Sequence, residues 1–425
     1  MSTLLTFRRV IIALLFFIGS VNAEPVLTLE SALTTAVSEN PSLAQMLARS
    51  KAMAAIPSQV GTLPDPEISF NAMSLPVKTF NLRQEDMTQM QIGISQTIPF
   101  PEKLALREQA ATYEAEAANQ NVTEVRLQLL SDVKTLWWLI FYLDHVIQVV
   151  DNNHTLLQQF VEIARVKYEV GMGLQQDVLT AQLELSKLLD QKIILTGTRR
   201  TAVAKLNALL DRPANHVIEL PQTVVIKLPV ILSEQQLYQT AQTSRAILEG
   251  NRQTINAAQS RLELAKKDYL PDFKVDVAYG NRQNMQAGDR RSDLLSAGLT
   301  VNVPIFTDRK QDKAVDQRAS EVMQEKYALQ DQWNNVRSQI SQSCSNYQQA
   351  KEQFVLYETG IVPQARQTVA SMLAAYQVNK VDFLNVIRSQ MTLFDYETQY
   401  WKAFTEAQQA LAGLTAAVGK EEIYE

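Results

Sequence analysis

The stretch LLSAGLTVNVPIF, residues 294–306, carries two signals in thirteen positions. Leu295, Ala297, Leu299, Val301, Val303 and Ile305 alternate with Ser296, Gly298, Thr300, Asn302 and Pro304. A period of two belongs to a β-strand with one apolar and one polar face. From Thr307 onward the chain reads instead as a very long, charged helix. Pro304 closes the strand just before that change.

The same pattern occurs earlier. Residues 90–100, MQIGISQTIPF, alternate in the same way, with Gly93 matching Gly298 and Pro99 matching Pro304. A further strand pattern precedes each, LPDPEISFNA from Leu63 and LPDFKVDVAYG from Leu270. In the second of these Phe273, Val275, Val277 and Tyr279 face one way, and Lys274, Asp276 and Ala278 the other. The four strands are expected near 64–74, 87–99, 271–281 and 293–305. Polar loops, SLPVKTFNLRQED and NRQNMQAGDRRSD, separate the members of each pair. YEVGMGLQQDVLTAQ from Tyr168 likewise matches YQVNKVDFLNVIRSQ from Tyr376, and all three matches lie a little over 200 residues apart. The chain reads as a duplicated unit, 24–220 and 221–425, joined through the Pro-containing LPQTVVIKLPVILS.

Each unit is expected to run short helix, strand, loop, strand, long helix, turn, shorter helix. The helices are expected near 28–60, 102–168 and 175–210, and again near 232–268, 308–376 and 382–417. The long ones would reach about 100 Å at about 1.5 Å per residue, too long for a compact domain. Val122, Val125, Leu129, Val133, Leu136, Ile140, Leu143, Ile147 and Val150 recur at spacings of three and four. A sustained seven-residue repeat predicts left-handed coiled packing on neighbouring helices. The GMG at 171–173 reads as a helix-ending turn.

At the N-terminus Arg8 and Arg9 precede VIIALLFFIG, then Ser20, Val21, Asn22 and Ala23. A basic flank, a short apolar run and a small-residue exit describe a cleavable export signal over 1–23. With its two arginines removed the net charge falls from −5 to 38 − 45 = −7. No later segment reads as apolar enough for a transmembrane helix.

Much chemistry is excluded. A single cysteine, Cys344, rules out an internal disulfide and a cysteine zinc cluster. Negative net charge without a basic block argues against nucleic acid. His145, His154 and His216 have no local metal-ligand spacing. Trp137 and Trp138 fall in a helix, where they read as packing residues. No nucleophile–base constellation appears, so neither an enzyme, a cofactor nor a bound metal is expected.

Four strands cannot close a barrel alone, and an open sheet with a bare apolar face invites aggregation. Both problems disappear if several chains share one barrel, apolar faces to lipid and polar faces to a water-filled lumen. The expected fold is therefore mainly α, with long coiled-coil helices and four strands per chain in a shared membrane β-barrel. Two other readings use the same residues. One packs the strands on the helices of a soluble protein, and the other is a periplasmic coiled-coil scaffold or adaptor without channel activity.

The LTLESALTTAVSENPSL start, the GISQTIPFP and GLTVNVPIF strand ends and the two Y-x-V turns together resemble the TolC family of outer-membrane efflux channels. QTIPFPEKLALR is similar to its heavy-metal-cation branch, where Pro-Phe-Pro-Gly-Lys is typical; here Glu102 stands in the glycine position. The resemblance implies a homotrimer with a twelve-stranded barrel in outer-membrane lipid and an α-helical tunnel across the periplasm. It implies a proton-driven inner-membrane pump and a periplasmic adaptor as partners, with metal cations or small toxic compounds as substrate. It also places a gate at the turns, where Asp177 would accept a hydrogen bond from the Tyr376 hydroxyl. An arginine of the family's turn is replaced by Val381, and its lumen acidic ring by Asn385 and Arg388. Asp382 is the remaining acid there and a pore-lining candidate with those two. A plainer reading has Asp382 capping the next helix and Asp177 inside a first turn.

Overall fold

The computed structural model describes residues 26–420, 423 and 424. The export signal expected over 1–23 lies outside the described residues. The chain runs α1 (Leu29–Glu39), α2 (Pro41–Ala54), α3 (Ile56–Gly61), β1 (Glu67–Met73), β2 (Gln89–Ile98), α4 (Lys103–Glu169) and α5 (Gln175–Leu209). It continues α6 (Glu234–Ser244), α7 (Ala246–Lys267), β3 (Phe273–Asn281), β4 (Leu294–Val301), α8 (Gln311–Leu356), a π-helical turn (Tyr357–Ile361), α9 (Val362–Gln377) and α10 (Phe383–Val418).

The strands form one antiparallel sheet in the order β1-β2-β3-β4. Its register explains the two faces. Phe70, Ile92, Tyr279 and Leu295 lie in one cross-strand row, and Ile68, Ile94, Val277 and Ala297 in the next of that face. On the other face Glu67, Ser95, Asp276 and Gly298 line up, with Lys274 paired to Glu67 at 2.7 Å. None of the described residues covers the apolar face: Phe70 and Leu295 are each 76% exposed. At the far end Arg291 ties the two loops together, donating to the carbonyls of Leu82 (2.8 Å), Glu85 (2.5 Å) and Gln283 (2.6 Å).

Beyond the sheet the helices that enter or leave each strand keep the strand order, α3–α4–α7–α8. In the other half α5 packs on α4, α4 on α10, and α10 on α8 and α9. Because α4 has neighbours on both sides, it carries the apolar residues. Trp137, Phe141 and Phe404 fill one cluster, and Leu157, Phe160, Phe383 and Phe394 fill another nearer the turns. The Trp137 indole donates to the Leu27 carbonyl at 3.0 Å, so both tryptophans are packing residues as expected. One segment of α4 is, contrary to expectation, long and apolar enough by composition to cross a membrane. Half of it is buried inside the protein, which accounts for its apolarity.

Three expected helices are interrupted. The span 28–60 is divided at Asn40 and Ala55. Pro41 forces Asn40 out of the helical region (φ −64°, ψ 119°), and the Asn40 side chain then caps α2 by accepting from the Leu43 N–H at 3.0 Å. The span 232–268 is divided at Arg245 (φ −76°, ψ 111°), with neither proline nor glycine within four residues of the break. Here the cause is tertiary. Arg245 is buried, donates to Glu124 of α4 at 2.6 Å, and donates again to the Ala416 carbonyl in the last turn of α10. The span 308–376 is divided by the π-helical turn just before Pro363, whose ring and missing N–H a regular helix cannot accommodate.

Glu102 begins α4 in the left-handed region, at φ 75°. Glycine is the residue that adopts this conformation without strain, which explains its presence at this position in the resembled branch. The Glu102 carboxylate is paired with Lys267 at 2.5 Å, and the neighbouring buried Lys103 bridges Asp268 (3.2 Å) and Asp272 (3.0 Å). These contacts lock the passage from sheet to helix.

Candidate functional site at the helical tip

Both helical hairpins end in the same turn geometry. After α4, Gly171 adopts φ 74°, the Met172 N–H bonds to the Lys167 carbonyl at 2.8 Å, and the Gly171 N–H to Tyr168 at 3.0 Å. After α9, Asn379 adopts φ 57°, the Lys380 N–H bonds to the Ala375 carbonyl at 2.9 Å, and the Asn379 N–H to Tyr376 at 3.1 Å. Each is a Schellman motif, the arrangement that satisfies the last free carbonyls of a helix. The GMG turn is therefore a helix end.

The structure brings Asp177, Tyr376 and Asp382 to this tip. Burial pushes the Asp177 carboxyl above its ordinary value; a bond from the Leu174 backbone and the nearby Lys167 oppose this, and Asp382 adds to it. Burial, and then the Asp177 charge, push the Tyr376 phenol up. The expected hydrogen bond between these two is not formed. The Tyr376 hydroxyl is buried with no hydrogen-bond partner among the described residues. Asp177 is turned instead toward its own helix start at Leu174, the plainer of its two readings. Asp382 occupies the N-cap position of α10 (φ −74°, ψ 148°), yet its exposed side chain makes no capping bond. Asn385 and Arg388 follow on the same exposed face, extending about 9 Å along α10. Val381 packs against the apolar cluster of Tyr376 and Phe383.

One residue of this site was missed by the reading of the sequence. Lys167, in the last turn of α4, donates to the Tyr376 carbonyl and to Asn379 Oδ1, both at 2.6 Å. Its ammonium also lies over the Tyr376 ring, 4.1 Å from the centroid. A lysine in a last helical turn was the available signal. Its partners, 209 and 212 residues away, were not readable from local sequence. Farther from the tip a buried amide pair crosses from α10 to α4, Gln390 donating to Asn153 Oδ1 at 2.6 Å. That bond fixes the register of the two helices.

Elsewhere chemistry is sparse. His145 packs against Trp401 with ring centroids 3.9 Å apart and the rings tilted by 47°, its Nδ1 lies 2.9 Å from the Phe141 carbonyl, and burial lowers its pKa. Burial pushes the Cys344 thiol up to about 11. Among the described residues no group of three or more His, Cys, Asp or Glu is placed to hold a metal ion.

This geometry, a four-stranded sheet continued by paired helices that end in two matched turns, is that of outer-membrane channels. The chain belongs to the outer membrane efflux protein family, whose model matches residues 32–212 and 237–420. It is 22% identical over 319 residues to the outer membrane efflux protein BepC of Brucella suis biovar 1, covering 73% of this chain and 67% of that protein. It is 20% identical over 400 residues to the cobalt-zinc-cadmium resistance protein CzcC of Cupriavidus metallidurans, covering 93% and 90%. The outer membrane protein VceC of Vibrio cholerae has the same fold, with a TM-score of 0.77 over 93% of this chain and 97% of that one at 16% identity. The protein is thus an outer-membrane channel of tripartite efflux, its strands in the membrane and its helices forming a periplasmic tunnel. Family and fold are those of channels.

Proposed function

We propose that three copies of this chain close one twelve-stranded pore through which substrate leaves the cell passively. An inner-membrane pump, proton-driven, and a periplasmic adaptor deliver that substrate to the helical tip. One observation carries this reading: the sheet leaves β1 and β4 as free edges and its apolar face bare, from Ile68 and Phe70 to Leu299. Head-to-tail pairing of β4 with the next chain's β1 satisfies both edges, and lipid covers the face.

The tip is the entrance. Asp177 and Tyr376 stand in its closed wall, and Asp382, Asn385 and Arg388 face the water-filled path. Val381 in place of an arginine leaves the wall without an ion pair at that position. Substrates are metal cations or small toxic compounds; similarity to CzcC across 93% of this chain favours the cations. The duplicated units are 24–220 and 221–425.

Detergent-solubilised protein is expected to run as a heat-labile trimer and to conduct in planar bilayers. Leu299→Lys, which places a charge at the lipid face, is expected to abolish assembly into membranes. A monomeric, non-conducting wild type overturns the pore. For substrate, a deletion strain is expected to become sensitive to cobalt, zinc or cadmium; sensitivity confined to organic dyes removes the cation assignment.

A further inference from the structure

We propose that Lys167 is the latch that holds the tip closed, tying the end of α4 to the end of α9. This rests on the reading of the tip as the entrance. Four observations converge on it. Among the described residues, the hydrogen bonds that join the two turns both come from the Lys167 ammonium, to the Tyr376 carbonyl and to Asn379 Oδ1 at 2.6 Å each. The ammonium is held over the Tyr376 ring as well, so the partner turn surrounds it with a carbonyl, an amide oxygen and a π-face. Gly173 allows the first turn to fold back onto the lysine: a Cβ there would stand 3.0 Å from Lys167 Cβ. Finally, the left-handed position is Gly171 in the first turn and Asn379 in the second. Glycine would fit the backbone better at 379, but it would supply no acceptor.

The latch joins the α4–α5 hairpin to the α9–α10 hairpin at the level of the turns. Any movement that widens the tip by separating these hairpins must break it first. It uses a backbone carbonyl, an amide oxygen and a ring face of the second turn. The Tyr376 hydroxyl has no part in it, consistent with that hydroxyl having no partner among the described residues.

The test compares wild type, Lys167→Met, Asn379→Gly and Tyr376→Phe, each shown to be trimeric on unheated gels, in planar bilayers. Hydrogen bonds from a charged donor are strong enough that Lys167→Met should lower the closed-to-open ratio about tenfold or more. Asn379→Gly keeps the left-handed turn and removes one acceptor, so a smaller shift in the same direction is expected. Tyr376→Phe, which keeps the carbonyl and the ring that Lys167 uses, should open far less than Lys167→Met. A trimeric Lys167→Met that conducts as wild type does overturns the latch, as does a Tyr376→Phe variant that opens as far as Lys167→Met. Acylation of lysine amines, read by mass spectrometry, is an independent measurement. Lys167 should label much more slowly than the exposed Lys187, and Asn379→Gly should speed it; equal labelling in wild type overturns the proposal. A wild type that forms no pore overturns the channel reading itself, an outcome distinct from these.

Discussion

The two long rods, α4 and α8–α9, each follow a pair of strands and lead into a turn at the tip, and they differ in almost every local respect. α4 runs for 67 residues without a break and buries tryptophan, phenylalanine and leucine along much of its length. Its counterpart is split into α8, a π-helical turn and α9; the 46 residues of α8 bury only seven side chains, and Tyr327 stands 64% exposed. Position in the layer explains this. α4 sits between other helices of its own chain in both halves of the molecule, whereas α8 and α9 lie at the edge. The two rods follow similar paths, and their chemistry differs because their neighbours differ.

The largest loss is expected in the centre of the molecule. Trp137→Ala removes ring contacts to Trp138 and Phe141 and the bond to the Leu27 carbonyl, and is expected to cost about 3–5 kcal/mol in chemical unfolding. Tyr327→Ala on the edge rod should stay within about 0.5 kcal/mol for the single chain. Equal losses would show that the rods do not differ as described.

The helix breaks sharpen the same contrast at smaller scale. Arg245→Met leaves Glu124 without its cation in a site where burial disfavours charge on both partners, and about 3 kcal/mol should be lost. Asn40→Ala, at the break between α1 and α2, removes the α2 cap and the amide's bond to the Leu209 carbonyl at 2.9 Å, and should cost about 2 kcal/mol. The smallest effect is one of pH. His145 on α4 is held below its ordinary 6.5 by burial, so the unfolded chain binds a proton where the folded one does not. Stability should therefore fall as pH drops from 6.5 toward the lowered value. His145→Gln should flatten that slope in thermal unfolding scans run between about pH 7.5 and about pH 5.

Much of this architecture was legible in the sequence. Period-two alternation located all four strands, and the three–four spacing from Val122 to Val150 located the first rod. Both signals are local, and burial enforces both. The break at Asn40 is also marked in the sequence, by Pro41, which the helical periodicity on either side masks. The break at Arg245 is not, because its cause is a carboxylate and a carbonyl on two other helices. At the tip the family resemblance pointed to two turns that the structure brings together and to a bond that it does not form. A tyrosine hydroxyl and an aspartate invite pairing on paper, but Asp177 faces the Leu174 backbone and the buried hydroxyl has no partner among the described residues. Lys167 binds a main-chain oxygen, an acceptor that every residue carries and no sequence marks.

The open sheet has a genetic consequence. No chain can finish its own wall, so in the proposed ring of three a single copy with a damaged strand edge spoils two sound neighbours. If half the copies in a cell are faulty and mix at random, only about one ring in eight is intact. A mutation confined to the β1 or β4 edge should therefore act dominantly over the normal allele, whereas one that unfolds the chain before assembly should be recessive.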